Sequence, residues 1–170
     1  MVLYESNLRQ EQTISTIKFL TRDELQKKYP KWYEELLQAK AFADHAYPRN
    51  NTTRVGCMLV ADGQAYMGAN VKREESWFNA TTCAERYALD SALLADAQQF
   101  ERLLIWGTSR RELLQGVIIP CGSCQDILDA ALHYARQHDM DVVLSNPAMT
   151  QIVVCKFSEL PELKRRLREQ

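Results

Sequence analysis

The sequence predicts an α/β protein, a three-layer α/β/α sandwich in which helices cover both faces of a mixed, largely parallel sheet. Short apolar runs typical of strands alternate along the chain with stretches in which apolar residues recur at helical spacing. The chain has 170 residues, of which 46% are hydrophobic and 25% charged, enough for one domain with a proper core. No repeat or low-complexity linker interrupts this alternation.

The N-terminal part of the chain predicts one strand and two helices. Thr13 to Leu20 alternates in polarity as a strand does, and Thr21-Arg22-Asp23-Glu24 has the form of a capping box that opens a short helix. Pro30 is suited to the first turn of a second helix, which we expect to reach about Ala46. We predict that residues 1–30 form an extension packed on a main domain of residues 31–170.

The rest of the chain predicts a hairpin followed by alternating helices and strands. Val55 to Val60 and Gln64 to Ala69 flank Asp62-Gly63, a strong turn signal. Residues 72–82 are interpreted as a long loop. The later elements are a helix at Cys83, a strand Leu103 to Gly107, a helix at Cys121, strands Asp141 to Leu144 and Gln151 to Phe157, and a last helix from about Glu159.

Three of the five cysteines fall in two short motifs, Cys83-Ala84-Glu85 and Pro120-Cys121-Gly122-Ser123-Cys124. Each motif opens a predicted helix, where the positive end of the helix dipole stabilises a thiolate. Three protein ligands leave the fourth position of a tetrahedral zinc open, as in catalytic zinc sites. The sequence therefore predicts Zn²⁺ held by Cys83, Cys121 and Cys124.

Glu85 and Arg86 are the charged residues beside this predicted site. Zinc with three thiolates carries a formal charge of about −1, so its bound water is less acidic than in a three-histidine site. Arg86 can offset that charge from the second shell. Glu85 lies too close to Cys83 to be an easy fourth ligand, and we expect it to accept and return protons.

From about Ala41 to Leu163 the chain resembles the cytidine deaminase family, in its three-cysteine branch. That resemblance implies a zinc-dependent hydrolase that converts a cytosine nucleoside to the uracil form with release of ammonia, assembled as a homotetramer or dimer. It also implies that Asn70 contacts the sugar and that Ala84 lies with the substrate. The matching segments are Ala46-Tyr47-Pro48, Val55-Gly56, Asp62-Gly63, Gly68-Ala69-Asn70-Val71, Cys83 to Arg86, Pro120 to Cys124 and Phe157 to Leu160.

The chain departs from the family at positions that would bind substrate. Lys72 stands where the family has an acidic residue, and Thr53 stands where it usually has a phenylalanine. Lys72, with Arg73 and Arg54, would favour a cytosine derivative that carries a carboxylate or phosphate, as in the related blasticidin S deaminases. These charges can equally be solvated surface residues. Trp77 is a candidate to cover the base in place of the lost phenylalanine.

Other classes of function remain as alternatives or are disfavoured. A deaminase of another aminated ring stays open, and a non-catalytic zinc scaffold would need a fourth protein ligand. The net charge of −1 and the lack of a basic cluster other than residues 164–168 disfavour nucleic acid. No apolar run approaches about 18 residues, so we expect no membrane contact and a cytoplasmic location. Cys57 and Cys155 lie in apolar strands and are expected to be buried.

Overall fold

A computed structural model of the chain describes residues 15–50, 52–75, 78–108 and 116–169. The strands are β1 (Lys18–Leu20), β2 (Arg54–Ala61), β3 (Gln64–Ala69), β4 (Val71–Glu75), β5 (Phe78–Thr82), β6 (Phe100–Thr108), β7 (Asp141–Ser145) and β8 (Ile152–Lys156). The helices are α1 (Arg22–Lys28), α2 (Pro30–Phe42), α3 (Ala84–Leu94), α4 (Gly122–Tyr134) and α5 (Leu160–Arg168), with 3-10 turns at Ala43–His45 and Phe157–Glu159. The predicted α/β class is confirmed.

The main sheet has six strands in the order β1-β8-β7-β6-β2-β3. Within it β6 and β7 pair in parallel, and the other four neighbouring pairs are antiparallel. The sheet is therefore mixed, as predicted, but the expectation that it is largely parallel is wrong. Short connections join β2 to β3 and β7 to β8 and force antiparallel pairing, whereas β6 reaches β7 through the long crossover that contains α4.

The two faces of the sheet bury two separate cores, which gives the three layers. Cys57 and Leu59 of β2 point into a cluster with the apolar residues of α3, α4 and α5. Met58 and Val60, on the opposite face of the same strand, pack with Leu25 of α1 and with α2. Because successive residues of a strand face opposite sides, one strand serves both cores. The predicted helix coverage of both faces is confirmed.

The N-terminal residues join the main sheet at its edge. β1 pairs antiparallel with β8, and the predicted capping box is present, since the Thr21 hydroxyl accepts from the Glu24 N–H and the Glu24 carboxylate accepts from the Thr21 N–H. The predicted strand begins at Lys18, later than expected. The division into an extension of residues 1–30 and a domain of residues 31–170 stays a prediction.

The interpretation of residues 72–82 as a loop is wrong for the part of this segment that the structure describes. Residues 72–75 and 78–82 belong to a two-stranded antiparallel ribbon of β4 and β5, in which Lys72 lies opposite Thr81. Tyr47 forms a bridge with Val71 at the base of the ribbon. A two-stranded ribbon outside the main sheet has no core face that imposes apolar alternation, so the period-2 signal of a strand is weak. Trp77 lies outside the residues that the structure describes.

Candidate active site

The thiol groups of Cys83, Cys121 and Cys124 form one cluster. Their Sγ atoms all lie within 4.8 Å of one another, and the Sγ atoms of Cys83 and Cys121 are 3.8 Å apart. Sulfurs around a tetrahedral zinc with bonds of about 2.3 Å lie about 3.8 Å from one another. The three cysteines therefore have the chemistry and the spacing to hold one zinc ion.

Two helix N-termini place these sulfurs. Cys83 is the N-cap of α3 and Cys121 is the N-cap of α4, both with extended backbone, while Cys124 is the third residue of α4. Neither N-cap thiol makes a side-chain capping hydrogen bond to its own helix. The sulfurs are thus left available as ligands at the positive ends of two helix dipoles, as the sequence indicates.

The thiols share hydrogen bonds that concentrate negative charge on one sulfur. The hydrogen bond with the Cys124 thiol, helped by that with Cys121 and by the positive charge of Arg86, lowers the pKa of Cys83 to about 6 despite its burial. The same hydrogen bond with Cys83, together with burial, raises the pKa of Cys124. Zinc binding must therefore displace protons from the cluster.

Glu85 is the second residue of α3 and lies beside the cysteine cluster. Its side chain is buried, and it lines the cavity described below. Burial is the largest cause that raises the pKa of this carboxyl to about 7, with the charge on Cys83 adding to it and the residue's own backbone N–H opposing it. A carboxyl in this environment can both accept and donate a proton near neutral pH.

A cavity of about 330 Å³ opens onto Cys83, Cys121 and Glu85. This volume lies within the usual range for small-molecule sites. Among the lining residues that the structure describes, Glu85 is the one carboxylate, and there is no lysine or arginine. The other lining residues are Thr53, Val55, Asn70, Thr81, Ala84 and the segment Gly116 to Ile119.

The structure places some of the predicted substrate residues in this cavity and others outside it. Asn70 and Ala84 line it, and Thr53 lines it at the position where the family usually has a phenylalanine. Lys72 is absent from the described lining, but its cross-strand partner Thr81 belongs to it.

The two arginines proposed with Lys72 already make contacts of their own. The guanidinium Nη2 of Arg54 lies 2.7 Å from the Asp44 carboxylate. The guanidinium of Arg73 donates to the Tyr87 hydroxyl over 3.4 Å and is exposed. Neither lines the cavity among the described residues, so the anion-recognising role predicted for these two arginines gains no support from the cavity.

Arg86 borders the cysteine cluster between α3 and α4. Its side chain, with Glu85 and Cys124, surrounds a small void between α3 and α4. The positive charge of Arg86 favours the Cys83 thiolate, in keeping with its predicted part in offsetting the charge of the ligands. Its role in tuning the metal stays a prediction.

Sequence reasoning missed part of the cavity wall. The sequence indicates no part in the site for Thr81 or for the segment Gly116 to Ile119, yet both line the cavity, and the segment has no regular secondary structure. Thr81 comes just before Cys83, and Gly116 to Ile119 just before Pro120. Their adjacency to the two cysteine motifs is the signal that could have identified them.

The fold and the cysteine site define the class of zinc-binding α/β/α domains. Residues 30–135, which include all three cysteines and Glu85, match the family model described as the cytidine and deoxycytidylate deaminase zinc-binding region. The chain belongs to this family, and the predicted family and zinc cofactor are confirmed.

Relatives with known names agree with this assignment. The cytidine deaminase of Mycoplasma genitalium is 28% identical over 91 residues, covering 54% of this chain and 65% of that protein. The cytidine deaminase of Sporosarcina psychrophila is 30% identical over 94 residues, covering 55% of this chain and 64% of that protein. The matched region thus spans slightly less than two thirds of each of these curated relatives.

Solved structures extend the likeness over more of the chain. The crystal structure of cytidine deaminase from Burkholderia pseudomallei is 32% identical, with a TM-score of 0.58, and the match covers 75% of this chain and 94% of that one. Cytidine deaminase from Mycobacterium leprae shares the fold at 18% identity, with a TM-score of 0.53 and coverage of 76% and 96%.

No helix in the described part of the chain is long and apolar enough to cross a membrane.

Proposed function

We propose that the chain is a zinc-dependent hydrolytic deaminase that converts a cytosine nucleoside to the uracil nucleoside. One observation carries this proposal: three sulfurs lie within 4.8 Å of one another, and two of them, those of Cys83 and Cys121, face the same cavity as the buried carboxyl of Glu85. The relatives named cytidine deaminase support the choice of ring.

The residues of the chain divide the chemistry between them. Cys83, Cys121 and Cys124 would hold the zinc, which supplies a Lewis acid and lowers the pKa of water. Glu85 accepts a proton from the attacking water and delivers protons to the ring nitrogen and to the departing amine. The oxygen of water becomes the new ring carbonyl, and ammonia leaves, so the reaction needs no further reactant.

The cavity walls favour a flat, largely apolar ring. Val55, Val117 and Ile118 supply apolar surface on the walls, and Cys83, Cys121 and Glu85 line the same cavity. Apolar walls exclude bulk water and strengthen the electrostatic interactions around Glu85. Ala84 is fully buried at the start of α3 and lines the cavity. We propose that it contacts the bound ring.

The position of Lys72 affects which class of substrate the site would accept. Residues directly opposite each other in an antiparallel pair project from the same face, so Lys72 shares a ribbon face with Thr81, which lines the cavity. We therefore place Lys72 at the rim, where it would reach an acidic substituent near the sugar. The described lining holds no cation, so the cavity itself suits a neutral nucleoside. A covering role for Trp77 remains a proposal from the sequence.

The scaffold alternative requires a fourth protein ligand. We searched the cysteine, histidine and carboxylate side chains of the described residues for groups that could bind a metal. The group found has three members, Cys83, Cys121 and Cys124. This composition favours an enzyme with an open coordination position.

We also propose that the chain forms a homo-oligomer, a tetramer or a dimer. Leu94 and Tyr134 are large apolar side chains that are 91% and 85% exposed, and association of copies would cover such surface. Light scattering of the purified protein would measure its assembly, and a monomer would contradict the proposal. A cytoplasmic location remains a prediction from the sequence.

Release of ammonia from a panel of substrates tests the proposed activity. Zinc-loaded protein would be incubated with cytidine, deoxycytidine, cytidine monophosphate and blasticidin S, and ammonia and the ultraviolet spectrum of the product would be followed. Turnover of the neutral nucleosides supports the main proposal. Turnover of the acid-bearing compounds in their place, reduced in a Lys72→Ala variant, identifies the second substrate class. Turnover of none contradicts deamination of cytosine compounds.

A further inference from the structure

The two helix starts that carry the predicted zinc ligands are held in different ways. Ala84, which follows Cys83, is fully buried, and the first turn of α3 lies against β3 at Gly68. The start of α4 is open to solvent. We infer that Gln125 is a positioning residue that holds the predicted ligand Cys121 in place for the metal. This inference rests on the zinc site of the proposed function but not on its substrate.

The segment at the start of α4 has little support from packing or capping. Cys121, Gly122 and Ser123 are all exposed. Among the described residues, apart from chain neighbours and the backbone of the same helix, nothing lies within 4 Å of the place that a Cβ of Gly122 would take. The Cys121 thiol makes no capping hydrogen bond, and the first turn of α4 has no acidic side chain to interact with the helix dipole. Another contact must therefore fix this ligand.

Gln125, the fourth residue of α4, donates two hydrogen bonds to the backbone around Cys121. Its side-chain Nε2 donates to the Pro120 carbonyl at 2.7 Å. Its backbone N–H donates to the Cys121 carbonyl at 2.9 Å, as a helix residue does four positions later. These two carbonyls belong to the peptide groups on either side of the Cys121 Cα. Gln125 therefore holds both peptide planes that set the direction in which the Cys121 side chain leaves the backbone.

The side-chain hydrogen bond, unlike the backbone one, depends on the identity of residue 125. Every residue except proline supplies a backbone N–H, whereas the bond to the Pro120 carbonyl needs a donor at the end of a side chain. Pro120 is buried, and a buried carbonyl that loses its donor is unfavourable. The Gln125 amide thus favours the one arrangement of the Pro120–Cys121 segment in which this carbonyl is bonded.

This restraint matters most for Cys121 because it is the most exposed of the three predicted ligands. Cys124 is buried and Cys83 is half-buried, whereas Cys121 is exposed. A ligand that is not held in place must be ordered when the metal binds, which lowers the affinity. Hydrogen-bonded partners that orient metal ligands commonly affect metal affinity by about 10–100-fold. Loss of the Gln125 donor should therefore weaken zinc binding although all three sulfurs remain.

Gln125→Met removes the donor with little change in shape. Methionine has a similar length and favours a helix, but it cannot donate a hydrogen bond. Competition with a chromophoric chelator would measure zinc affinity, and transfer of zinc to an excess of the same chelator would measure the rate of release. We expect the affinity to fall roughly tenfold and release to be faster. Gln125→Ala, which also lacks the donor, serves if Gln125→Met does not fold. Unchanged affinity and release would overturn the inference.

Cobalt substitution separates positioning from ligation. Co²⁺ can replace zinc in tetrahedral sulfur sites, where its sulfur-to-metal absorption increases with the number of bound thiolates. At saturating Co²⁺, Gln125→Met should show the absorption of the wild type, and Cys121→Ala should show less per metal. Lower absorption in Gln125→Met would contradict a role limited to positioning. Wild-type absorption in Cys121→Ala would show that Cys121 is not a ligand, and both the site assignment and this inference would fail.

Gln137, which follows the same helix, offers a matched control. It is half-buried, as Gln125 is, and its side chain accepts from the Phe100 N–H at 2.6 Å and donates to the Phe100 carbonyl at 3.0 Å. Gln137→Met removes two hydrogen bonds to the backbone, so it should cost at least as much stability in urea unfolding as Gln125→Met. We expect it to bind zinc as tightly as the wild type. Equal loss of zinc affinity in the two variants would show a general effect of stability and would overturn the inference.

Discussion

Gly68 of β3 lies directly under Ala84, the first residue of α3. A Cβ atom at Gly68 would overlap the Ala84 carbonyl and approach the backbone nitrogen of Ala88. The missing side chain allows the first turn of α3 to rest on the strand. Cys83 caps this helix and Glu85 lies in its first turn. The close contact at Gly68 therefore fixes how far the predicted zinc ligand Cys83 and the proposed proton carrier Glu85 lie from the sheet.

Substitution of Gly68 by Ala should therefore disturb both stability and the site. The added methyl meets backbone atoms, which cannot rotate away as a side chain can, so α3 must shift. We expect a loss of about 1–3 kcal/mol in the free energy of unfolding, as for other overpacked sites, together with weaker zinc retention and a lower kcat. Urea unfolding, zinc analysis and ammonia release would measure the three effects.

Gly122 supplies the control for adding a methyl near the metal. A Cβ there would meet nothing within 4 Å, and the residue is the first of α4. Gly122→Ala should keep the stability of the wild type or raise it by up to about 1 kcal/mol, since alanine favours a helix. Equal destabilisation by the two substitutions would rule out the steric explanation for Gly68.

Loss of one thiol should remove the zinc. Wild-type protein should hold one zinc ion per chain, and Cys124→Ala should lose it on dialysis against a chelator, because two sulfurs remain. Bound metal stabilises the native state by mass action, so the melting temperature should also fall. Elemental analysis and thermal unfolding check both points.

Cys155→Ala is the matched control for this experiment. Cys155 is as deeply buried as Cys124 but lies in β8, where burial raises the pKa of its thiol to about 12. It should keep a full equivalent of zinc although it removes a buried sulfur. Zinc loss in Cys155→Ala, or full zinc in Cys124→Ala, would contradict the assignment of the ligands.

The parts of the fold that the sequence predicts are those with local causes. The capping box at Thr21, the turn at Asp62-Gly63 and the helix starts at Cys83 and Cys121 depend on residues next to one another, and the structure contains all four. The residues and spacing of the two cysteine motifs, which match a zinc-site signature, predict their convergence on one metal.

The parts that were missed depend on distant contacts. The strand directions follow from which strands become neighbours, and the β4–β5 ribbon has no core face to mark it in the sequence. The bonding of Asn70 is similar, since its partners Thr53 and Val55 lie fifteen or more residues away. A motif match indicates that Asn70 lies near the cavity, but only the packed strands show which groups its amide bonds.

Glu85→Gln should separate catalysis from metal binding. Glutamine has the size of glutamate but cannot accept and return a proton, so we expect kcat to fall by about 10²–10⁴-fold while zinc content and stability are kept. Ammonia release and elemental analysis on the same preparation would show this. Asp90→Asn, which makes the same chemical change at an exposed position of α3, should leave both unchanged. Activity of Glu85→Gln within tenfold of the wild type would exclude Glu85 as the proton carrier.

The carboxylate of Glu159 attaches the segment before β1 to the rest of the fold. Its oxygens accept from the Thr16 N–H and hydroxyl, both at 2.6 Å, and from the Lys156 N–H at 2.9 Å. Burial alone would raise the pKa of Glu159, but the hydrogen bonds from Lys156 and Thr16 outweigh it and hold the pKa below its ordinary value of 4.5.

Because the pKa of Glu159 is lowered in the folded protein, the free energy of unfolding depends on pH. A group whose pKa is lower in the folded state stabilises that state above its unfolded pKa, and the contribution is lost as the pH falls through the folded pKa. Glu159→Gln should therefore be less stable than the wild type at pH 7, and the difference should shrink as the pH falls below about 4.5. Urea unfolding at several pH values between about 3 and 7 would measure the difference. Glu34→Gln, which removes an exposed negative charge from α2, controls for the change in net charge. A difference between Glu159→Gln and the wild type that stays constant or grows in acid would mean that the charged carboxylate does not hold the Thr16 segment in place.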